Sequence, residues 1–180
     1  GGFTVLGGLF EEELISSPET ALRYGASGAA VTVKFGHARE GDFIRQASLL
    51  ADACELWGLP LLVEALAKDG KLADAQVVAL AARAAQEIGA DLVKCRYTGD
   101  PDSFRAVVEG CPAPVLILGG EKAEGLGEVF EQVHGALQAG GAGVAIGRNV
   151  FQHPQPQAVV EALVGLVHQG CSVKQALAHL

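Results

Sequence analysis

The sequence predicts an α/β fold built on a parallel sheet, and three observations carry that prediction. Apolar runs of strand length alternate with amphipathic stretches of helical length along nearly the whole chain. The runs are rich in Val, Leu, Ile and Ala, as strands covered on both faces are. Glycines such as Gly25, Gly58 and Gly89 punctuate the joins, with no linker or low-complexity segment between them. Strands that alternate with helices pack as βαβ units around a parallel sheet. At 180 residues, 49% of them hydrophobic, residues 1–180 are expected to form a single domain with a sizeable core.

The elements follow in order. Residues 1–10 are Gly-rich, and their short apolar run Phe3-Thr4-Val5-Leu6 fits a strand end or a loop. Ser17-Pro18-Glu19 starts a helix that runs to about Tyr24, with Ser at the cap and Pro in the first turn. Ala29 to Phe35 is a strand, with Val31, Val33 and Phe35 on one face and Thr32 and Lys34 on the other. Gly41-Asp42 opens a helix through Trp57, with Phe43, Ala47, Leu50 and Cys54 on its apolar face. Pro60 to Ala67 is the next strand, with Glu64 inside it, and Asp69-Gly70 turns the chain. Asp74 to Ile88 is a long amphipathic helix stopped by Gly89.

The stretch from Asp91 to Asp100 opens as a buried strand, and Gly99-Asp100-Pro101 ends it. Asp102 is expected to cap the helix that follows, to Val108. Val115 to Leu118 is a strand that runs into Gly119-Gly120, and a helix follows from about Ala123 to Gln138. After Gly140-Gly141 the last strand, Gly143 to Ile146, leads into Gly147-Arg148-Asn149. Helices over Gln157–Val167 and Ser172–Ala178 complete the chain. Five strands, or six with the run near the start, fit either an open doubly wound sheet or part of an eight-stranded barrel.

The net charge of -8 and a pI near 5.0 argue against an electrostatic nucleic-acid site. No apolar run approaches the ~20 residues that span a bilayer, and no signal-peptide pattern opens the chain. A cytoplasmic protein with no membrane partner is therefore expected. Cys54, Cys95, Cys111 and Cys171 form no metal-binding spacing and read as reduced thiols, small core hydrophobes. The chain opens with Gly-Gly and contains no Met, so a part missing from the front is expected.

Lys94 is the chemically pointed residue. It shares a strand face with Leu92 and Arg96. An ammonium within a buried strand is costly unless paired or neutral. Burial and a neighbouring cation such as Arg96 both favour the neutral amine, the form that attacks carbonyls to make a Schiff base. The plain alternative is that Lys94 pairs with a carboxylate on the next strand and only fills the core. Glu64, on the preceding strand, is a candidate general acid or base for that amine, or a simple neutralising partner for Lys94 or Arg96. Lys34 is a lesser candidate that reads rather as a solvated strand end, and His37, which ends that strand, either faces the site or is structural or exposed.

In parallel sheets with helical crossovers, sites lie at the carboxyl ends of the strands. There the glycines of Gly119-Gly120 and Gly147-Arg148 let backbone N–H groups approach an anion, and Arg148 adds a forked cation. A helix N-terminus would add a favourable dipole. Such loops in the last two units of a barrel commonly hold a phosphate, the plain alternative being tight turns that need glycine for themselves.

Three segments together resemble the archaeal-type class I fructose-bisphosphate aldolases. They are the Lys94 strand with Tyr97-Thr98-Gly99-Asp100, the strand and turn from Pro114 to Gly120, and the segment from Ala139 through Gly147-Arg148-Asn149-Val150-Phe151-Gln152. The same family includes a dideoxy-heptulosonate synthase and a thiolase acting on phosphorylated autoinducer-2. The resemblance runs from about Glu13 onward. It implies an eight-stranded TIM barrel, of which this chain would supply the last five or six βα units. It implies a Schiff base on Lys94 and a substrate phosphate on Gly119, Gly120, Gly147 and Arg148. It further implies a homo-oligomer that needs no metal or other cofactor, because the iminium does the work a metal does elsewhere. The family's aldolases carry a tyrosine near the end of the strand before the lysine strand, where this chain has Leu66. Their first-strand aspartate has no counterpart here. The expected function is that of a class I aldolase acting on a phosphorylated ketose or keto compound. The alternatives are a thiolase or transferase acting on a phosphorylated diketone, a sugar-phosphate-binding protein impaired in catalysis, and an isomerase using Lys94 without a covalent intermediate.

Overall fold

The computed structural model describes residues 13–67, 71, 73–120, 123 and 125–180. The Phe3–Leu6 run and the Asp69-Gly70 turn lie outside those residues. The chain begins with α1 (Pro18–Arg23), where the Ser17 hydroxyl accepts the Thr20 N–H at 3.3 Å. Then come β1 (Ala29–Phe35), α2 (Glu40–Leu56), β2 (Leu61–Ala67) and α3 (Ala75–Ile88), capped by the Asp74 carboxylate. They are followed by β3 (Leu92–Cys95), α4 (Pro101–Glu109), β4 (Val115–Leu118), α5 (Leu126–Gln138) and β5 (Gly143–Ala145). The chain closes with α6 (Arg148–Phe151), α7 (Pro156–Gln169) and α8 (Val173–Leu177), the last behind a capping box of Ser172 and Gln175.

The strands form one five-stranded sheet in the order β1-β2-β3-β4-β5, every neighbouring pair parallel. A doubly wound sheet reverses direction at a switch point, whereas a barrel winds onward one strand at a time. The sequential order therefore removes the doubly wound alternative. Right-handed crossovers wound one way place the helices on one face. Burial records this: Val33, Leu61, Val63, Val93, Cys95, Val115 and Ile117 are at most 1% exposed under the helices. Their alternates Lys34, Leu62, Glu64, Leu66, Lys94 and Leu116 line the other face and are half-buried. Each fully buried Val, Leu or Phe stabilises the fold by about 1.5–3 kcal/mol. The helix-side layer thus fixes which residues face the inner side of the arc.

Three local expectations are corrected. Asp100, not Asp102, caps α4: its carboxylate accepts the Asp102 and Ser103 N–H groups, and Pro101 takes the first helical position that its fixed φ suits. Lys34 is not a solvated end, since its Nζ is out of solvent and lies 5.7 Å from the centre of the Phe43 ring. The segment after Gly147 is a one-turn helix rather than a loop, and a helix this short adds little dipole.

α5 crosses close over the continuation of β3. Tyr97 packs edge-on against Phe104 with ring centres 5.2 Å apart, and a Cβ at Gly135 would collide with the Tyr97 hydroxyl. Because the ring is wedged against Phe104, it cannot swing aside cheaply. Gly135→Ala is expected to destabilise the fold by about 1–3 kcal/mol, read as a lower urea midpoint. An unchanged midpoint would contradict this packing. Burial also pushes the thiols of Cys54 and Cys111 up, and that of Cys95 to about 12. A thiol reagent at pH 8 is therefore expected to label only the half-buried Cys171 in the native protein, and the other three on unfolding.

Candidate active site

The parallel register sets three polar side chains side by side across β1, β2 and β3. Thr32 pairs with Glu64, and Glu64 with Lys94. All three lie on the inner face, since their neighbours in sequence are the buried valines and alanines of the helix side. Lys94 Nζ sits 2.7 Å from Glu64 Oε1, a hydrogen-bonded ion pair with side chains 22% and 24% exposed. Thr32 Oγ1 donates to the other carboxylate oxygen, Oε2, at 3.2 Å. Each oxygen of Glu64 thus has its own donor, which holds the carboxylate rotamer. Such a pair can pass a proton between Nζ and Oε1 without either group moving far.

Of the residues singled out in the sequence, the sheet joins Lys94 and Glu64 directly and leaves Arg96 exposed outside the pair. His37 is occupied in the turn after β1, where Nδ1 accepts the Arg39 N–H at 3.0 Å and the ring lies against Phe43. Leu66 lies opposite Lys34 in the register, one inner-face layer above Glu64.

The two glycine loops lie side by side at the ends of β4 and β5. Leu118 pairs with Ala145, so Gly119-Gly120 and Gly147-Arg148 leave the sheet together. Lys94 pairs with Leu116, which places Gly119 about 10 Å further along the strand direction. The span suits a small molecule with a carbonyl at one end and an anion at the other. A Cβ at Gly119 would stand 2.6 Å from the Ile146 side chain, and Gly120 has φ +64°, a conformation costly for residues with a side chain. Arg148 is exposed and makes no ion pair among the described residues.

Two polar residues went unassigned in the sequence. Thr32 has one signal, a hydroxyl two positions before Lys34 on a strand otherwise apolar. Asn149 is 3% exposed and bonds the backbone of the loop after β4, through Nδ2 to the Gly119 carbonyl and from the Ala123 N–H to Oδ1, both 2.8 Å. Nothing in the sequence marks that contact, which joins residues some thirty positions apart.

A sequentially wound βα sheet with a lysine on its inner face and glycine loops at its carboxyl edge is an arc of a βα barrel, with its polar groups where barrels carry their sites. A family model described as DeoC/LacD family aldolase matches residues 10–153, and the chain belongs to that family. It is 38% identical over 158 residues to 2-amino-4,5-dihydroxy-6-oxo-7-(phosphonooxy)heptanoate synthase of Streptomyces griseus, covering 86% of this chain and 58% of that protein. A crystal structure of an archaeal fructose 1,6-bisphosphate aldolase superposes with a TM-score of 0.84 at 34% identity, over 94% of this chain and 69% of that one. A second structure of an archaeal fructose-1,6-bisphosphate aldolase, with the catalytic Lys covalently bound to the carbinolamine intermediate of the substrate, gives 0.79 at 35% identity, over 84% of this chain and 62% of that one. The chain therefore spans about 58–69% of the length of these relatives, and its five strands form an arc of their TIM barrel.

The Glu64–Lys94 pair sets a test of its own. Glu64→Leu leaves an ammonium facing apolar neighbours and is expected to cost roughly 1–3 kcal/mol. This is less than breaking a fully buried pair, because both groups keep some solvent. Adding Lys94→Met is expected to recover most of that loss. A double variant less stable than Glu64→Leu alone, in urea unfolding, would contradict the pairing energetics.

Proposed function

We propose that this protein is a class I, Schiff-base-forming aldolase that acts on a phosphorylated ketose or keto compound through Lys94. The observation that carries the reading is the Lys94–Glu64 contact of 2.7 Å on the inner face of the sheet. Glu64 takes a proton from the Lys94 ammonium. The free amine adds to the substrate carbonyl carbon, and the carbinolamine loses water as Glu64 returns the proton to its oxygen. In the iminium that results, the hydroxyl on the β-carbon gives its proton to the Glu64 carboxylate, the bond between the α- and β-carbons breaks, and its electron pair moves toward the carbon–nitrogen double bond to leave an enamine. The aldehyde fragment departs, the enamine is reprotonated, and water hydrolyses the iminium to free Lys94. Run backwards, the same steps join two carbonyl compounds. The phosphate is held by the backbone of Gly119, Gly120 and Gly147 and by the Arg148 guanidinium.

Leu66 favours a second reading of the finer chemistry. The archaeal-type aldolases use a tyrosine at that position for proton transfer, and Leu66 carries no proton. The heptanoate synthase relative makes a phosphorylated keto amino acid, so a synthase or transferase joining a phosphorylated keto compound to a second carbonyl fits equally well. The acidic charge, and the absence among the described residues of a helix able to cross a membrane, are consistent with a cytoplasmic enzyme. Exposed Leu49, Leu56 and Trp57 offer α2 a face for self-association, consistent with a homo-oligomer.

The test is turnover of a panel of ketose phosphates, including fructose 1,6-bisphosphate. Lys94→Ala is expected to reduce turnover to background, and Glu64→Gln to lower kcat by about 10²–10⁴-fold. Full turnover by Lys94→Ala would overturn the covalent mechanism, and wild-type turnover with no covalent intermediate would favour an isomerase using Lys94. A ketose phosphate that raises Tm without turnover would favour a binding protein.

A further inference from the structure

We infer that Asn149 is a positioning residue for the substrate phosphate. Its side-chain amide sets the orientation of the Gly119–Gly120 peptide against the Gly147-Arg148 loop. The inference rests on the phosphate assignment proposed above and deepens it.

Three observations lead there. Asn149 is 3% exposed, one of two buried polar or charged side chains among the described residues. It bonds the backbone of both Gly119 and Ala123, each at 2.8 Å. A single planar amide does this because it carries a donor and an acceptor side by side, which no hydroxyl or carboxylate of that length offers in the same geometry. Asn149 also lies one residue after Arg148, at the start of α6, so the bonds tie one glycine loop to the other.

The consequence for an anion follows from peptide geometry. In a trans peptide the carbonyl and the next N–H point in opposite directions. No cis peptide occurs among the described residues. With the Gly119 carbonyl drawn onto Asn149 Nδ2, the Gly120 N–H is turned away from Asn149 and its direction is fixed. Gly120 at φ +64° and the Ile146 side chain against Gly119 restrict the same peptide from the other side. A pre-aimed backbone N–H binds phosphate without an ordering cost at the moment of binding. Losing the amide would free the peptide to rotate, so the effect falls on phosphate affinity rather than on chemistry at Lys94.

The experiment compares dihydroxyacetone phosphate with unphosphorylated dihydroxyacetone as carbonyl probes, trapped on the protein with borohydride, in wild type and Asn149→Ala. The expected result is a half-saturating concentration for dihydroxyacetone phosphate raised about tenfold or more, with the dihydroxyacetone trapping rate unchanged. Equal half-saturation in wild type and variant would overturn the inference, as would equal losses for both probes, which mark a purely structural role. A wild type with no preference for the phosphorylated probe would overturn the phosphate assignment itself, and this inference with it. Should Asn149→Ala fail to fold, Asn149→Asp keeps the bond from the Ala123 N–H and loses the one to Gly119. It is expected to show the same selective loss.

Discussion

An ammonium and a carboxylate 2.7 Å apart on neighbouring strands are the contact on which this molecule turns. Two charges taken largely out of water cost several kcal/mol unless they meet in good geometry. Here the geometry comes from the sheet. Val63 and Val93, both fully buried, flank Glu64 and Lys94 on the helix side. A one-residue slip of either strand would drive its charged side chain into that apolar layer. The hydrophobic pattern that makes the fold therefore also makes the ion pair, and Thr32 holds the carboxylate oxygen that Lys94 does not use.

The fold divides the proposed reaction between two parts of one surface. β1, β2 and β3 bring together the groups that can move protons and form a covalent bond. The loops after β4 and β5 offer backbone and Arg148 to an anion. Between them the inner face is apolar, with Leu116 beside Lys94 and Leu118 beneath the loops. Such a floor excludes water from a charged intermediate and strengthens the electrostatics around it. Asn149 ties the backbone of Gly119 and Ala123 to the neighbouring loop, and so organises the proposed phosphate end.

Much of this was legible in the sequence because it rests on periodicity. The alternating burial of Val31, Val33 and Phe35, or of Val63 and Ala65, is a period-two pattern read directly from residue types. Lys94 and Glu64 stood out as charges inside such runs. That Glu64 meets Lys94 and leaves Arg96 outside required the register, which a sequence does not state. Barrel or doubly wound sheet also stayed open from alternation alone, since winding order decides it. Asp100 was passed over as a cap because Asp102 has the same chemistry two residues on. Lys34 reads as solvent-facing from its place near a strand end, whereas Phe43, beyond the turn through His37, packs over it. Asn149 was invisible for the plainest reason, since its partners are backbone groups and backbone has no sequence.

The covalent role of Lys94 is tested most simply by borohydride reduction of the protein with dihydroxyacetone phosphate, followed by peptide mass mapping. A Schiff base on Lys94 predicts one reduced adduct, on the peptide containing Lys94. An adduct on another lysine such as Lys34, or turnover of ketose phosphate with no adduct at all, would contradict it.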